Sequence, residues 1–303
     1  MLLRVADSLY WMARNIERAE NHAHVLSVKL IQALEASDED QLMNDEWDVI
    51  LDISAVINKR SSLLTDEGFD LDKLIHHLTF LTDNPSSIYS CLKITRENAR
   101  QCRDHLSNDF WMIINEFYLY LNKWKDSQWS NYHIQNTLHR VKMTSLSVQG
   151  VIETTANRSV DYRLFKIGCW IERADHTLRI LHAICSRLQE QPDHTGYYSN
   201  LALQLTKGSD TYLRGQMAYM RPEDVFTFLI VDANFPRSLR YCMDHAWYAI
   251  KQVEGEQGSG YATQLKDVLW QMTNRIQYLH LDHFSLTESK DFFKQQYAGI
   301  KVG

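Results

Sequence analysis

The stretch Leu9-Tyr10-Trp11-Met12-Ala13-Arg14-Asn15-Ile16-Glu17-Arg18-Ala19-Glu20 decides the fold. Wound at 3.6 residues per turn, and continued toward residue 34, it places Leu9, Met12, Ala13, Ile16, Ala23, Leu30, Ile31 and Leu34 on one face. That is the pattern of a long amphipathic helix whose apolar stripe faces a core. Glu20 falls in the middle of the stripe, and Glu17 at its border.

The pattern returns past the middle of the chain as Leu164-Phe165-Lys166-Ile167-Gly168-Cys169-Trp170-Ile171-Glu172-Arg173-Ala174-Asp175. Leu164, Ile167, Gly168, Ile171, Leu178 and Cys185 form its apolar face, with Asp175 among them and Glu172 at the border. A second pair of segments follows in the same order: Asn84-Pro85-Ser86-Ser87-Ile88 with Cys91, and Phe235-Pro236-Arg237-Ser238-Leu239 with Cys242. Two matches in one order point to internal duplication. The expected organisation is an all-α helical bundle of two internally duplicated halves, 1–158 and 159–303, packed together as one domain.

Composition agrees with an all-α chain. Only four prolines and eleven glycines interrupt 303 residues, and 45% hydrophobic content is enough for a sizeable core. Long helices are expected over 7–35, 130–156 and 160–190. Shorter ones are expected near 44–62, 70–82, 86–106, 108–124, 222–231, 236–254, 260–282 and 286–298. The segments 61–70, 190–199 and 255–260 read as loops, and the three glycines of the last lack the preceding strand that a phosphate-binding loop needs.

Cys91, Cys102, Cys169, Cys185 and Cys242 stand far apart with no Cys-x-x-Cys pair, which reads as reduced core thiols. The N-terminal residues lack the basic head and apolar run of a secretory signal, so a cytoplasmic location is expected. No apolar run approaches the ~20 residues of a membrane helix. With a net charge of −6 and dispersed basic residues, nucleic-acid binding is not expected.

A carboxylate inside an apolar stripe is costly without a cation, several donors or a proton. Glu17, Glu20, Glu172 and Asp175 therefore admit two readings: structural ion pairs, or a polar site of catalytic carboxylates in the bundle centre. Asn84, Ser86 and Ser87 open a helix with an N-cap and a proline in its first turn, an end that can hold an anion. Arg96, Arg100 and Arg103 follow on that helix's polar border, able to reach inward to Glu20 or outward to a phosphate or acidic substrate. Arg237 and Ser238 repeat the same helix start.

No metal site or cofactor is expected. A ferritin-like di-iron centre needs Glu-x-x-His pairs, of which there are none, and His280, Asp282 and His283 read as surface residues. No nucleophilic triad has a local signature.

The segments Arg4-Val5-Ala6, Ser8-Leu9-Tyr10-Trp11-Met12, Arg14, Ile16 to Asn21, Asn84 to Ile88, Arg96-Glu97-Asn98-Ala99-Arg100, Ile171 to Ala174 and Phe235 to Ser238 together resemble the bacterial alpha-E family along nearly the whole chain. The resemblance implies a helical domain that accompanies circularly permuted ATP-grasp proteins, often with transglutaminase-like proteins, in systems that form amide bonds on peptide or amino-acid substrates. It leaves open whether this chain is an accessory or catalytic component, or a non-catalytic helical adaptor that docks a partner protein.

Overall fold

The computed structural model describes residues 3–35, 42–54, 64–65, 68–69, 71–125, 127, 129–215, 220–257 and 263–277. Along them run α1 (Leu3–Glu35), α2 (Leu42–Ile53), a two-residue antiparallel ladder of β1 (Leu64–Thr65) and β2 (Gly68–Phe69), α3 (Leu71–Thr79), α4 (Ile88–Gln101), α5 (Asn108–Trp124), α6 (Asn131–Thr155) and α7 (Val160–Glu190). Then come α8 (Thr195–Leu205), α9 (Ser209–Gly215), α10 (Pro222–Val231), α11 (Leu239–Gln257) and α12 (Thr263–Gln277). The fold is all-α.

Local chemistry sets the helix starts. Ser87, Ser107 and Ser130 each cap a helix by accepting a hydrogen bond from the backbone N–H three residues on. Pro222 opens α10, where its missing N–H costs nothing, and Glu223 and Asp224 complement the helix dipole. On α5, Phe110, Ile114, Phe117 and Leu121 repeat every three or four residues and are all buried.

The chain divides into two compact units, Met1–Cys169 and Trp170–Gly303, so that α7 begins in the first and ends in the second. In the first, α1 packs on α4 and α6, α4 on α5, and α5 on α6. Gly168 lets α7 approach α1 closely: a Cβ there would lie 2.5 Å from the Tyr10 carbonyl oxygen. In the second unit, α10 packs on α8, α11 and α12, and α11 on α12.

Three expectations are corrected. The segment 190–199 is not a loop: a short 3-10 turn over Pro192–His194 leads directly into α8, and α9 follows. Tyr, Ser, Thr and Gly in that segment give a weak helical pattern, but packing buries Tyr198, Leu201, Ala202, Leu203 and Leu205. The segment 255–260 is helical through Gln257. The helix expected over 86–106 ends at Gln101, and Arg103 starts a 3-10 turn. The expected helix 286–298 and His280, Asp282 and His283 lie outside the described residues.

The two Pro-containing helix starts share their wiring. The Ser87 hydroxyl accepts from the Ser90 N–H at 3.1 Å, and that of Ser238 accepts from the Tyr241 N–H at 3.0 Å. The Cys91 thiol donates to the Pro85 carbonyl at 4.0 Å, and the Cys242 thiol to that of Pro236 at 3.5 Å. Duplication of the entire halves is a proposal that goes beyond this local match. Ser87→Ala and Ser238→Ala should each lower stability by about 1 kcal/mol, read as a shift in urea midpoint at unchanged slope.

Candidate functional site

Among the described residues, two helices carry every buried Asp, Glu, Lys and Arg. From Met12 to Leu26, α1 is buried on every side except at the half-buried Arg18 and His24, and α7 is similarly enclosed from Ile171 to Cys185. A helix with no solvent face must bury its polar residues too, and these do: Glu17 is 0% exposed, Glu20 2%, Glu172 3% and Asp175 3%. Each Glu-Arg pair divides alike, with Glu17 and Glu172 sealed and Arg18 and Arg173 half-buried. On the apolar faces expected for the two helices, only Ile31 departs among the residues whose side chains are described, at 52% exposed.

Asp175 accepts from the Arg179 guanidinium at 3.1 Å, one turn along the same helix. Arg14 donates to the Tyr10 hydroxyl at 3.1 Å, and its guanidinium lies over the Trp11 ring. Burial pushes the Lys29 ammonium down from 10.5 to about 7. Between those values the unfolded chain holds a proton that the folded chain does not, so raising the pH favours folding. Lys29 alone contributes about 1 kcal/mol per pH unit of rising stability from about pH 7 toward 9, above which the raised Cys102 thiol acts in the opposite sense. Chemical denaturation between pH 7 and 9 should show a smaller slope in Lys29→Met than in the parent chain.

The arginines of α4 do not meet Glu20. Arg96 donates to Asn115 at 2.8 Å and lies over the Trp111 and Tyr118 rings of α5. Arg100 is exposed and pairs with Glu97 at 2.6 Å. Arg103 donates to the Leu106 carbonyl and to Asn108. The polar border of α4 therefore faces α5 and solvent rather than the acids of α1.

At the start of α4, the polar groups serve the turn itself. Asn84 donates to the His77 carbonyl at 3.1 Å and accepts from the Ser86 N–H at 3.0 Å. Ser87 is 0% exposed and its hydroxyl also donates to that of Ser90. Ser238 is equally buried and donates to the Asp232 carbonyl. Arg237 is half-buried, and its carbonyl accepts from the Thr177 hydroxyl at 2.8 Å, tying α7 to the start of α11.

A cleft of about 440 Å³ opens elsewhere, between α1 and α4. Arg4, Asp7, Ser8, Trp11, Asn15 and Arg18 line one wall, and Pro85, Ile94, Asn98 and Gln101 the other. The α1 residues follow i, i+3, i+4, i+7, i+11, i+14 spacing, one continuous stripe on a helix. Trp11 is 41% exposed there. Sequence reasoning left these residues out of the candidate site, although the stripe was present in the spacing; what it could not supply was the second wall.

A second hollow, of about 340 Å³, is lined in part by His105, Ser107, Asn157, Asp161 and Tyr162. His105 and Asp161 are paired at 2.9 Å. Beside it Glu153 receives Lys166, Arg158 and the Tyr162 hydroxyl. Burial alone would raise the Glu153 carboxyl, but those donors and charges hold it below its ordinary value.

All five cysteines are buried thiols. Among the described residues no group of three His, Cys, Asp or Glu is placed to hold a metal ion, and no helix is long and apolar enough to cross a membrane.

Comparison with known proteins adds a family. A model of the Alpha-E family, described as a predicted alpha-helical domain with a conserved ER motif, matches residues 1–301. The chain contains Glu-Arg only at 17–18 and 172–173, so any such motif lies on the enclosed parts of α1 and α7. Uncharacterized proteins of Mycobacterium bovis and of Mycobacterium tuberculosis are 25% identical to it over 315 residues, covering 99% of this chain. The chain spans 35% of the length of these curated relatives. No solved structure matches at a significant level.

Proposed function

We propose that this chain, which belongs to the Alpha-E family, is an accessory component of an ATP-grasp-linked amide-bond-forming system in the cytoplasm. It recognises a partner's peptide or amino-acid substrate and carries out no bond-making step itself. The partners are a circularly permuted ATP-grasp protein and a transglutaminase-like protein.

The observation that carries the accessory role is the contrast between sealed acids and an open cleft. A general base must come within hydrogen-bond reach of the proton it takes, directly or through one water. Glu17, Glu20, Glu172 and Asp175 are at most 3% exposed, so they serve as internal framework. Arg4, Ser8, Trp11, Arg18, Pro85 and Asn98, which carry much of the family resemblance, gather instead at the cleft of α1 and α4. The relatives support a partnered role as well, since in them the matching region is joined to nearly twice its own length of further sequence.

The test is copurification with a candidate ATP-grasp protein, followed by ATP turnover with and without this chain. Stimulation that is lost in Trp11→Ala, with the fold intact, supports the reading; turnover indifferent to the chain removes it. One observation favours the alternative, a helical adaptor that docks a partner protein and recognises no substrate. Met112 and Leu119 on α5, and Met143 and Leu146 on α6, are about half exposed, and apolar side chains of this kind suit a protein interface.

A further inference from the structure

Two stripes of α6 share one spacing. Ile134, Leu138, Val141, Ser145, Val148 and Ile152 recur at alternating intervals of four and three residues and are all buried, as α6 packs on α1 and α5. About 160° round the helix, Tyr132, Asn136, His139, Met143, Leu146 and Gly150 repeat those intervals, and all are exposed. Such spacing is the geometry by which helices pair, and on an outer face its residue content decides whether they do. A face that only meets water carries charged and polar side chains. Here Met143 is 47% and Leu146 55% exposed, side by side on one line. At Gly150 a Cβ would meet nothing within 4 Å. Glycine weakens a helix, and no described contact calls for it there; the close approach of another backbone would.

The charges say what approaches. From Asn131 to Ile152, α6 holds Arg140 and Lys142 and no Asp or Glu, in a chain of net charge −6. They stand one on either side of the exposed stripe, the places where paired helices set opposite charges. No described carboxylate answers them. Arg140 lies over the Tyr120 ring at 4.0 Å, and burial pushes the Lys142 ammonium below its ordinary value with no acid to hold it up. A second copy of α6 would set like charges against these two. A nucleic acid would satisfy the cations and leave Met143 and Leu146 in water.

We propose that the outer stripe of α6, from Tyr132 to Gly150, docks an amphipathic helix of a partner protein, apolar along its centre and acidic along both edges. The inference does not rest on the cleft of α1 and α4, and it holds whether or not that cleft takes a substrate.

Fluorescence anisotropy on the full chain tests it with three fluorescein-labelled helical peptides of three heptads each. One has leucine at the seam positions and glutamate at the flanks, the second has lysine at the flanks instead, and the third has serine in place of leucine. The leucine-glutamate peptide is expected to bind saturably and at least tenfold tighter than either of the others. Met143→Ser with Leu146→Ser, both at exposed positions, should weaken it at least tenfold without moving the thermal melt. Gly150→Gln should weaken it while raising the melt, which separates docking from stability. Lys142→Glu should shift the preference toward the lysine peptide. Equal binding of the lysine or serine peptide, duplex DNA bound as tightly as the glutamate peptide, affinity unchanged in the Met143 and Leu146 double variant or in Gly150→Gln, or no saturable binding would each overturn the proposal. So would self-association of the parent chain in sedimentation that the same double variant abolishes, because the occupant would then be a second copy.

Discussion

Replacing Asp175 with alanine is expected to lower the stability of the chain by about 2 kcal/mol, because it removes a buried carboxylate that accepts from the Arg179 guanidinium. The Asp175 side chain is 4% exposed and that of Arg179 20%, with 3.1 Å between them. Solvent reaches Arg179, which lessens the loss below that of a fully buried pair. Asp175→Asn keeps an acceptor and should be milder. Asp175→Ala with Arg179→Met should recover much of the loss, and the double-mutant cycle would give the coupling directly. Urea denaturation is the measurement. A loss under about 1 kcal/mol for Asp175→Ala would mean that the pair is solvated in solution and contributes as little as a surface ion pair. Glu20, at the matched place on α1 and 2% exposed, should show a loss of the same order in Glu20→Ala.

At Gly168 the sign of the effect is the diagnostic. Alanine in place of glycine within a helix ordinarily gains about 1 kcal/mol. At Gly168 the added Cβ would sit 2.5 Å from the Tyr10 carbonyl oxygen and 2.9 Å from the Ala13 Cβ. The first of these is backbone, which cannot swing aside, so the helices must part. Gly168→Ala should therefore destabilise by about 2–3 kcal/mol. Gly150, toward the end of α6, has nothing within 4 Å of its would-be Cβ, and Gly150→Ala should stabilise by up to about 1 kcal/mol. Thermal melts of the two variants side by side would decide, and a stabilised Gly168→Ala would refute the close approach.

The contrast between legible and illegible features follows their physical range. Burial of Glu20 and Asp175 was readable because it depends on angular position within one helix, and 3.6 residues per turn fixes that; Glu17 and Glu172, which the same angle puts at the border, are sealed as well because neighbouring elements cover that side too. The helix starts were readable to within a turn, because capping acts within four residues, but a proline in the first turn was expected, whereas Ser87 itself caps α4 and Pro85 precedes the helix. The partners of Arg96 and Arg100 were not readable. A helical wheel gives the direction of a side chain but not which neighbouring element stands there, and the neighbour of Arg96 turned out to be α5 through Asn115, Trp111 and Tyr118. Ile31 failed for a related reason: its angle fits the apolar stripe, but near the end of α1 the surrounding protein no longer covers that direction. The cleft was invisible since it needs two walls from segments some seventy residues apart. α8 was missed because its buried face is built partly from Tyr198 and Ser199, which a polarity pattern counts as loop-like.

The enclosure of α1 has a consequence for how the molecule exchanges hydrogen with water. Between Met12 and Leu26 no side of that helix meets solvent except at Arg18 and His24. Surface helices exchange amide hydrogens by fraying or by small local openings. Here, any opening wide enough to admit deuterium must also lift α4 and α6 from the helix they pack upon. The amides of Ile16 to Leu26 should accordingly exchange only through global unfolding, at rates that fall together when the protein is stabilised. Those of α5, with Met112, Leu119 and other side chains facing water, should exchange earlier and independently. Mass-spectrometric deuterium uptake would thus trace the central helix as one block of slow amides, with Glu17, Arg18 and Glu20 inside it.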